Sequence, residues 1–196
     1  MRTEDHVKLD GLAKLNVLPV TDLKTELLRI CGSRVWVEAV AKTFPHTSPA
    51  SVLTAMDKAW WSLSKPDYLE AFSAHPCIGD AAALKRKYEA AAMVTSGTDC
   101  PAWEADEQKG TIGASEEILQ SLAKHNRLYK ERFGYIFLVC ATGKTADEML
   151  TLLKARMCNE AGYELTVAAA EQSKITVMRL HKLLTSMGAQ EDASRL

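Results

Sequence analysis

SEEILQSLAKHNRLYKERFGYIFLVCATGKTADEMLTLLKAR, residues 115–156, carries the pattern on which the fold turns. Ser115 can cap EEILQSLAKHNRLYKERF, because its hydroxyl accepts from an N–H that the first helical turn leaves without a partner. Gly134 can close that helix, since a residue without Cβ enters the left-handed region at little cost. Thr145 with Glu148 forms a capping box ahead of MLTLLKARM. Between the two helices stands YIFLVCA, the single β-like stretch of the chain. One strand cannot make a sheet, so it reads as a buried extended segment or the start of a helix.

Working outward, the same punctuation recurs. Ser48-Pro49 predicts an N-cap with proline at the first helical position, followed by VLTAMDKAWWSL. Ser64 with Asp67 opens a shorter helix that must end near Ala74, because Pro76 pushes the residue before it out of the α region. Asp80 can cap AAALKRKYEAAAM, and a long final helix from about Tyr163 to Ser186 is expected to end before Gly188. The reading is an all-α fold of about eight helices. It is a single compact domain over residues 1–196, with a flexible tail from about 188. TSGTDCP, residues 95–101, is the clearest loop, and it is too short to separate domains.

Composition excludes several classes. The chain has 196 residues, 47% hydrophobic and 25% charged, which suits a globular protein with one core. Its 24 basic residues against 25 acidic ones, with no basic block, lack the footprint of a nucleic-acid binder. Five scattered cysteines, Cys31, Cys77, Cys100, Cys140 and Cys158, show no CxxC spacing, which argues against a disulfide framework or a zinc knuckle and for a reducing compartment. MRTEDHVKLDG has no apolar h-region, and YIFLVCA is too short to cross a bilayer, so neither secretion nor membrane insertion is expected. Ser194-Arg195-Leu196, after the polar QEDA, is a basic variant of the Ser-Lys-Leu address. It implies a peroxisomal protein with the import receptor as partner, the alternative being the cytoplasm.

At about 100° per residue, the final helix puts Leu165, Ala168, Ala169, Gln172, Ile175, Thr176, Leu180 and Leu183 on one face, with Arg179 inside that stripe. On the preceding helix, Met149, Leu152 and Leu153 define the inner face and Arg156 projects into it. A guanidinium cannot shed its proton, and burying it without an anion costs several kcal/mol, so each arginine needs a partner. Two readings stand open: an internal carboxylate, a helix C-terminus or an escape to water; or a site for a carboxylate or planar amide ligand, which guanidinium forks match bidentately.

Other candidates have their own bland readings. Glu107 and Gln108 in WEADEQKG place a carboxylate beside an amide, ordinarily a solvated face. His75, in SAHPCIGD, falls at a helix C-terminus where the dipole favours imidazolium and supports a proton-donor role. Cys77 lies two residues on, with no nucleophile elbow and no ordered Cys-His-Asn set. His6, His46, His125 and His181 lack ligand spacing, so no metal is expected.

Taken in order, LAKLNVLP, CGSRVW, AHPCIGD, DEQKG, HNRLYKERFGYIFLVCATGKTADEML and ARMCNEAGYELTVAAAEQSKITVMRLHKLL resemble the 2-oxo-4-hydroxy-4-carboxy-5-ureidoimidazoline (OHCU) decarboxylase family of urate degradation, from near residue 10 to about 185. The resemblance implies an all-helical, cofactor-free enzyme, usually a homodimer, that converts OHCU to (S)-allantoin and carbon dioxide. It implies His75 as catalytic histidine and proton donor, with Pro76 beside the substrate. Glu107 and Gln108 correspond to the substrate-binding acidic and amide pair. The backbone of Phe137, Leu138, Val139, Cys140 and Ala141 matches the segment that hydrogen-bonds the ring and ureido group. Arg179 matches the substrate-binding arginine, and Arg156 is a family-pattern residue with substrate contact and architecture both open.

The chain departs from the family in three places. Glu104 stands where a serine is usual, which removes a hydroxyl and adds a negative charge at a substrate-binding position. The stretch from Asp80 to Glu104 is longer than expected, and FPHTS replaces a more usual Arg-Pro-Phe. Two rival readings remain: a non-enzymatic helical adaptor, which leaves two inward arginines unexplained, and a thiol-dependent hydrolase using Cys77.

Overall fold

The computed structural model describes residues 3–75 and 115–189. These hold eight helices and no strand: α1 Glu4–Asn16, α2 Val20–Ile30, α3 Arg34–Ala41, α4 Pro49–Trp61, α5 Lys65–Ser73, α6 Glu116–Phe133, α7 Ala146–Arg156 and α8 Ala161–Ala189. The all-α expectation holds over the described residues. The helix expected after Asp80 lies outside them, as does the carboxyl-terminal tripeptide. Among the described residues no helix is long and apolar enough to cross a membrane.

Local chemistry sets the boundaries where the sequence says it should. Ser48 and Ser51 form a reciprocal capping box with Pro49 in the first turn of α4. Ser64 donates to Asp67 Oδ2 at 2.6 Å ahead of α5. Ser115 accepts from the Ile118 N–H, and Gly134 ends α6 at φ 84°. Thr145 and Glu148 make both bonds of the box that opens α7.

The chain falls into two compact units. Met1–Ala71 with Ser173–Leu196 make the first. Its core gathers Leu15, Leu27, Ile30, Trp36, Val40 and Trp60, all nearly inaccessible, with Leu180 and Leu184 of α8. Trp36 buries its indole by donating from Nε1 to the Met56 carbonyl at 3.1 Å, so its one polar atom carries no desolvation penalty. In this unit α8 does not stop before Gly188; it runs to Ala189. A Cβ on Gly188 would sit 2.0 Å from the Val7 carbonyl oxygen, and one on Gly11 would sit 1.9 Å from that of Leu184. Gly188 is therefore a point of backbone approach between α1 and α8, and its missing Cβ serves packing where the sequence reading had it serve termination.

Phe72–Gln172 make the second unit. Its core holds Phe72, Leu122, Tyr129, Phe137, Met149 and Leu153. Leu152, expected on the inner face of α7, is 36% exposed, while Leu150 is buried. The buried set Ala146, Met149, Leu150, Leu153 and Arg156 follows the i, i+3, i+4, i+7 spacing, which leaves Leu152 on the flank.

Candidate active site

Residues 135–141 link α6 to α7 without helical or strand pairing, and Phe137, Leu138 and Val139 are each buried. A buried backbone outside regular structure must find partners for its polar groups elsewhere. Side chains supply three of them. Arg156 Nη1 donates to the Leu138 carbonyl at 2.6 Å, the Cys140 N–H donates to Glu171 Oε2 at 2.7 Å, and Lys144 Nζ donates to the Cys140 carbonyl at 2.9 Å. Among the described residues, no hydrogen bond reaches the backbone N–H or carbonyl of Phe137 or Val139. Leu138 and Cys140 stand two apart, the spacing at which an extended chain turns its polar groups to a common edge, with Phe137 and Val139 on the other. The Leu138 carbonyl and Cys140 N–H are thus engaged within the protein, while the alternate residues carry backbone polar groups with no partner among the described residues.

Arg156 projects inward as its helical phase requires, 9% exposed. Its charge is met by Glu164, itself inaccessible: Nη2 lies 2.6 Å from Oε1 and Nε donates to the same oxygen at 2.8 Å. Glu164 Oε2 accepts from Asn159 Nδ2 at 2.6 Å, and the Tyr129 hydroxyl donates to Oε1. The guanidinium also lies 4.7 Å above the Phe137 ring centroid, a cation–π contact. Breaking such a pair would leave a buried charge alone, at about 3–5 kcal/mol. Of the two readings open for an inward arginine, the internal carboxylate is the one found here, and Arg156 ties α7 and α8 to the segment between α6 and α7.

The pair also shapes its neighbours. Burial, and then the hydrogen bond that the phenol donates to the Glu164 carboxylate, hold the Tyr129 phenol far above its ordinary range. Burial followed by the charge of Glu164 pushes Tyr135 up to about 12.

Arg179 belongs to the first unit and is 4% exposed, pointing inward as its helical phase predicts. Its Nη1 donates to the carbonyl of Arg29 at 3.3 Å, in the last turn of α2, where the helix dipole favours a cation. The Cys31 thiol is pushed up to about 12 by burial, partly offset by a hydrogen bond with the Ser33 backbone and then by the Arg179 charge.

His75 follows the last turn of α5, and its N–H donates to the Phe72 carbonyl at 3.2 Å. This is the C-terminal position the sequence assigns it. Phe72 in turn packs on Tyr135, ring centroids 5.3 Å apart. Pro76, Cys77, Glu104, Glu107 and Gln108 lie outside the described residues.

Sequence reasoning missed Glu164, Glu171 and Lys144. Glu164 had a signal: it heads the row 164, 168, 172 at helical spacing, directly in line with Ala168 and Gln172 of the inward face. Glu171 and Lys144 had none, because each bonds to a backbone group whose partner no residue pattern specifies.

Comparison with known proteins bears on what this geometry serves. The OHCU decarboxylase family profile matches residues 16–181. The uric acid degradation bifunctional protein TTL of Arabidopsis thaliana is 37% identical over 155 residues, which make up 79% of this chain and 45% of that protein. The 2-oxo-4-hydroxy-4-carboxy-5-ureidoimidazoline decarboxylase of Amia calva is 40% identical over 65 residues, 32% of this chain and 37% of that protein. The matches thus span less than half the length of these two relatives. The crystal structure of an OHCU decarboxylase in the presence of (S)-allantoin superposes with a TM-score of 0.63 at 34% identity, over 82% of this chain and 97% of that one. With most of its length matched in sequence and in fold, the chain belongs to the OHCU decarboxylase family.

Proposed function

We propose that this chain decarboxylates OHCU to (S)-allantoin in urate degradation, with its own side chains and backbone and no cofactor. The bond from the ring carbon to its carboxylate breaks, carbon dioxide leaves, and the electron pair stays on the ring. That pair forms a double bond to the neighbouring carbon as the ring C=N pair moves onto its nitrogen, which takes a proton from solvent. A second proton then adds to one face of the neighbouring carbon while the hydroxyl gives up its own as its carbon becomes a carbonyl. In this reading His75 takes or orients the hydroxyl proton and then acts as the acid whose one-sided delivery sets the S configuration. Arg179 binds the carboxylate or the developing oxyanion. Glu107 and Gln108 hold the ureido nitrogens and the ring edge, with Pro76 and Glu104 beside them.

The observation that carries the reading is the buried stretch Phe137, Leu138 and Val139 of a family member, in which the backbone donors and acceptors of Phe137 and Val139 have no hydrogen bond among the described residues. Buried N–H and C=O groups are costly to leave unmade, and a cyclic ureide offers the complementary edge. The test is to generate OHCU freshly from urate, add the protein, and follow circular dichroism. Rapid appearance of a single allantoin enantiomer is expected; racemic decay at the spontaneous rate would refute the assignment.

The finer expectations stay with this proposal. Homodimerisation rests on the family resemblance and is checked by the molar mass in solution from light scattering. Peroxisomal import rests on Ser194-Arg195-Leu196 and is checked by whether a fluorescent fusion loses its punctate pattern when Leu196 is deleted.

A further inference from the structure

We infer that Arg156 and Glu164 are positioning residues for substrate recognition: the pair fixes the Leu138 carbonyl and so dedicates the backbone of Phe137 and Val139 to the ligand. The inference rests on the reading that the 137–141 segment binds the ureide, and it adds what makes that segment a binding edge.

The argument starts from what an irregular stretch lacks. A strand within a sheet has its register set by a neighbour's ladder, and no strand occurs among the described residues. Nothing of that kind stops this segment from rotating about its axis by one residue, which would turn the polar groups of Phe137 and Val139 inward and those of Leu138 and Cys140 outward. Arg156 opposes that rotation twice, through a 2.6 Å bond to the Leu138 carbonyl and through its place over the ring of the adjacent Phe137, 4.7 Å from its centroid. One side chain therefore grips two consecutive residues.

Arg156 is itself held. Glu164 Oε1 accepts from Nε and lies 2.6 Å from Nη2, which fixes the guanidinium plane and leaves Nη1 aimed at Leu138. Glu164 is fixed in turn by Asn159 and Tyr129. Charge neutrality explains why the arrangement is internal, yet neutrality alone would be served by any apolar pair of the same size. The directed bond satisfies a buried acceptor, as any structural pair could; what it adds here is a fixed orientation of the stretch whose next residues, Phe137 and Val139, have no backbone hydrogen bond among the described residues.

The test uses the full chain. Glu164→Gln keeps an acceptor but removes the charge that orients the guanidinium. A second variant, Arg156→Met with Glu164→Met, removes both charges together, a replacement that buried pairs commonly tolerate without loss of folding. For each, KM and kcat on fresh OHCU, binding of (S)-allantoin and backbone amide resonances across 137–141 are compared with wild type. The expected result is a folded double variant whose KM rises at least about tenfold with a smaller change in kcat, as loss of uniform binding requires. In the wild type, the amides of Phe137 and Val139 shift on adding (S)-allantoin while that of Cys140 does not, and both responses weaken in the variants. A folded double variant with wild-type KM and wild-type amide responses overturns the inference and leaves the decarboxylase reading standing. A wild type that neither turns over OHCU nor responds to (S)-allantoin removes the reading itself, and the inference with it.

Discussion

Arg179 donates a hydrogen bond from Nη1 to the carbonyl of Arg29, 3.3 Å away in the last turn of α2. The contact fixes one arm of a guanidinium that is 4% exposed, and the proposed substrate role of Arg179 needs the planar fork as well as the charge. Lysine retains the charge and can still reach a helix C-terminus, but it cannot present a planar fork. Arg179→Lys is therefore expected to fold normally by far-UV circular dichroism and to lose about 10–100-fold in kcat/KM on OHCU, the worth of one charged hydrogen bond of roughly 1.5–3 kcal/mol. An unchanged KM in the folded variant would take Arg179 out of substrate binding.

His75 stands just beyond α5, tied to it by its N–H to the Phe72 carbonyl, so replacing its side chain leaves that anchor in place. Positioned proton transfer contributes about 10²–10⁴-fold. His75→Ala should therefore cut kcat by that order while the thermal midpoint moves little, and allantoin formed in its presence should approach the racemate. Near-normal initial rates of carbon dioxide release from this variant would remove the imidazole from the mechanism.

What the residues announce and what they withhold divide along a physical line. Ser115 with Gly134, and Thr145 with Glu148, fix the ends of α6 and α7 through bonds that span three or four residues, so the chemistry is written locally. The inward direction of Arg156 and Arg179 is likewise a matter of helical phase. The partner is not. Helical spacing turns Glu164 inward, but whether Arg156 meets it or a carboxylate from a ligand depends on where the turn between α7 and α8 carries that glutamate, and periodicity within one helix does not encode which group it meets. Gly188 shows the same limit: its sequence context fits a helix terminator, and only the approach of Val7 makes it a packing residue. The acidic and amide pair at Glu107 and Gln108 rests on family resemblance alone, since its residue types are those of an ordinary solvated face.

The glycine contacts yield a stability prediction. A methyl at Gly188 would lie 2.0 Å from the Val7 carbonyl oxygen and one at Gly11 would lie 1.9 Å from that of Leu184, and in both cases the obstacle is backbone. Neither clash can be relieved by a side-chain rotation, so α1 must shift from α8. Alanine normally favours a helix over glycine by about 1 kcal/mol. Here the sign should reverse: Gly188→Ala and Gly11→Ala are each expected to destabilise by about 1–3 kcal/mol in urea unfolding, as overpacking does. A gain in stability from either substitution would mean that α1 does not dock on α8 through these glycines.

Alkaline stability follows from the buried acids. Cys31 is raised by burial from 9.0 to about 12, and Tyr135, by burial and then by the Glu164 charge, from 10.0 to about 12. In both, the folded chain holds its proton more tightly than the unfolded chain. Their contribution is fully present below the unfolded value and is lost as pH rises through the interval up to the folded one. Stability to urea should accordingly fall between about pH 9 and 12. Cys31→Ala should flatten the early part of that fall, because alanine has no proton to release. The same elevation keeps Cys31 as a neutral thiol at pH 8, and only the thiolate attacks an alkylating agent. Iodoacetamide should therefore label the exposed Cys158 and leave Cys31 unmodified until the chain unfolds. Peptide mass mapping of the native protein checks this, and rapid native labelling at Cys31 would show that the first unit opens far more readily than its packed core implies.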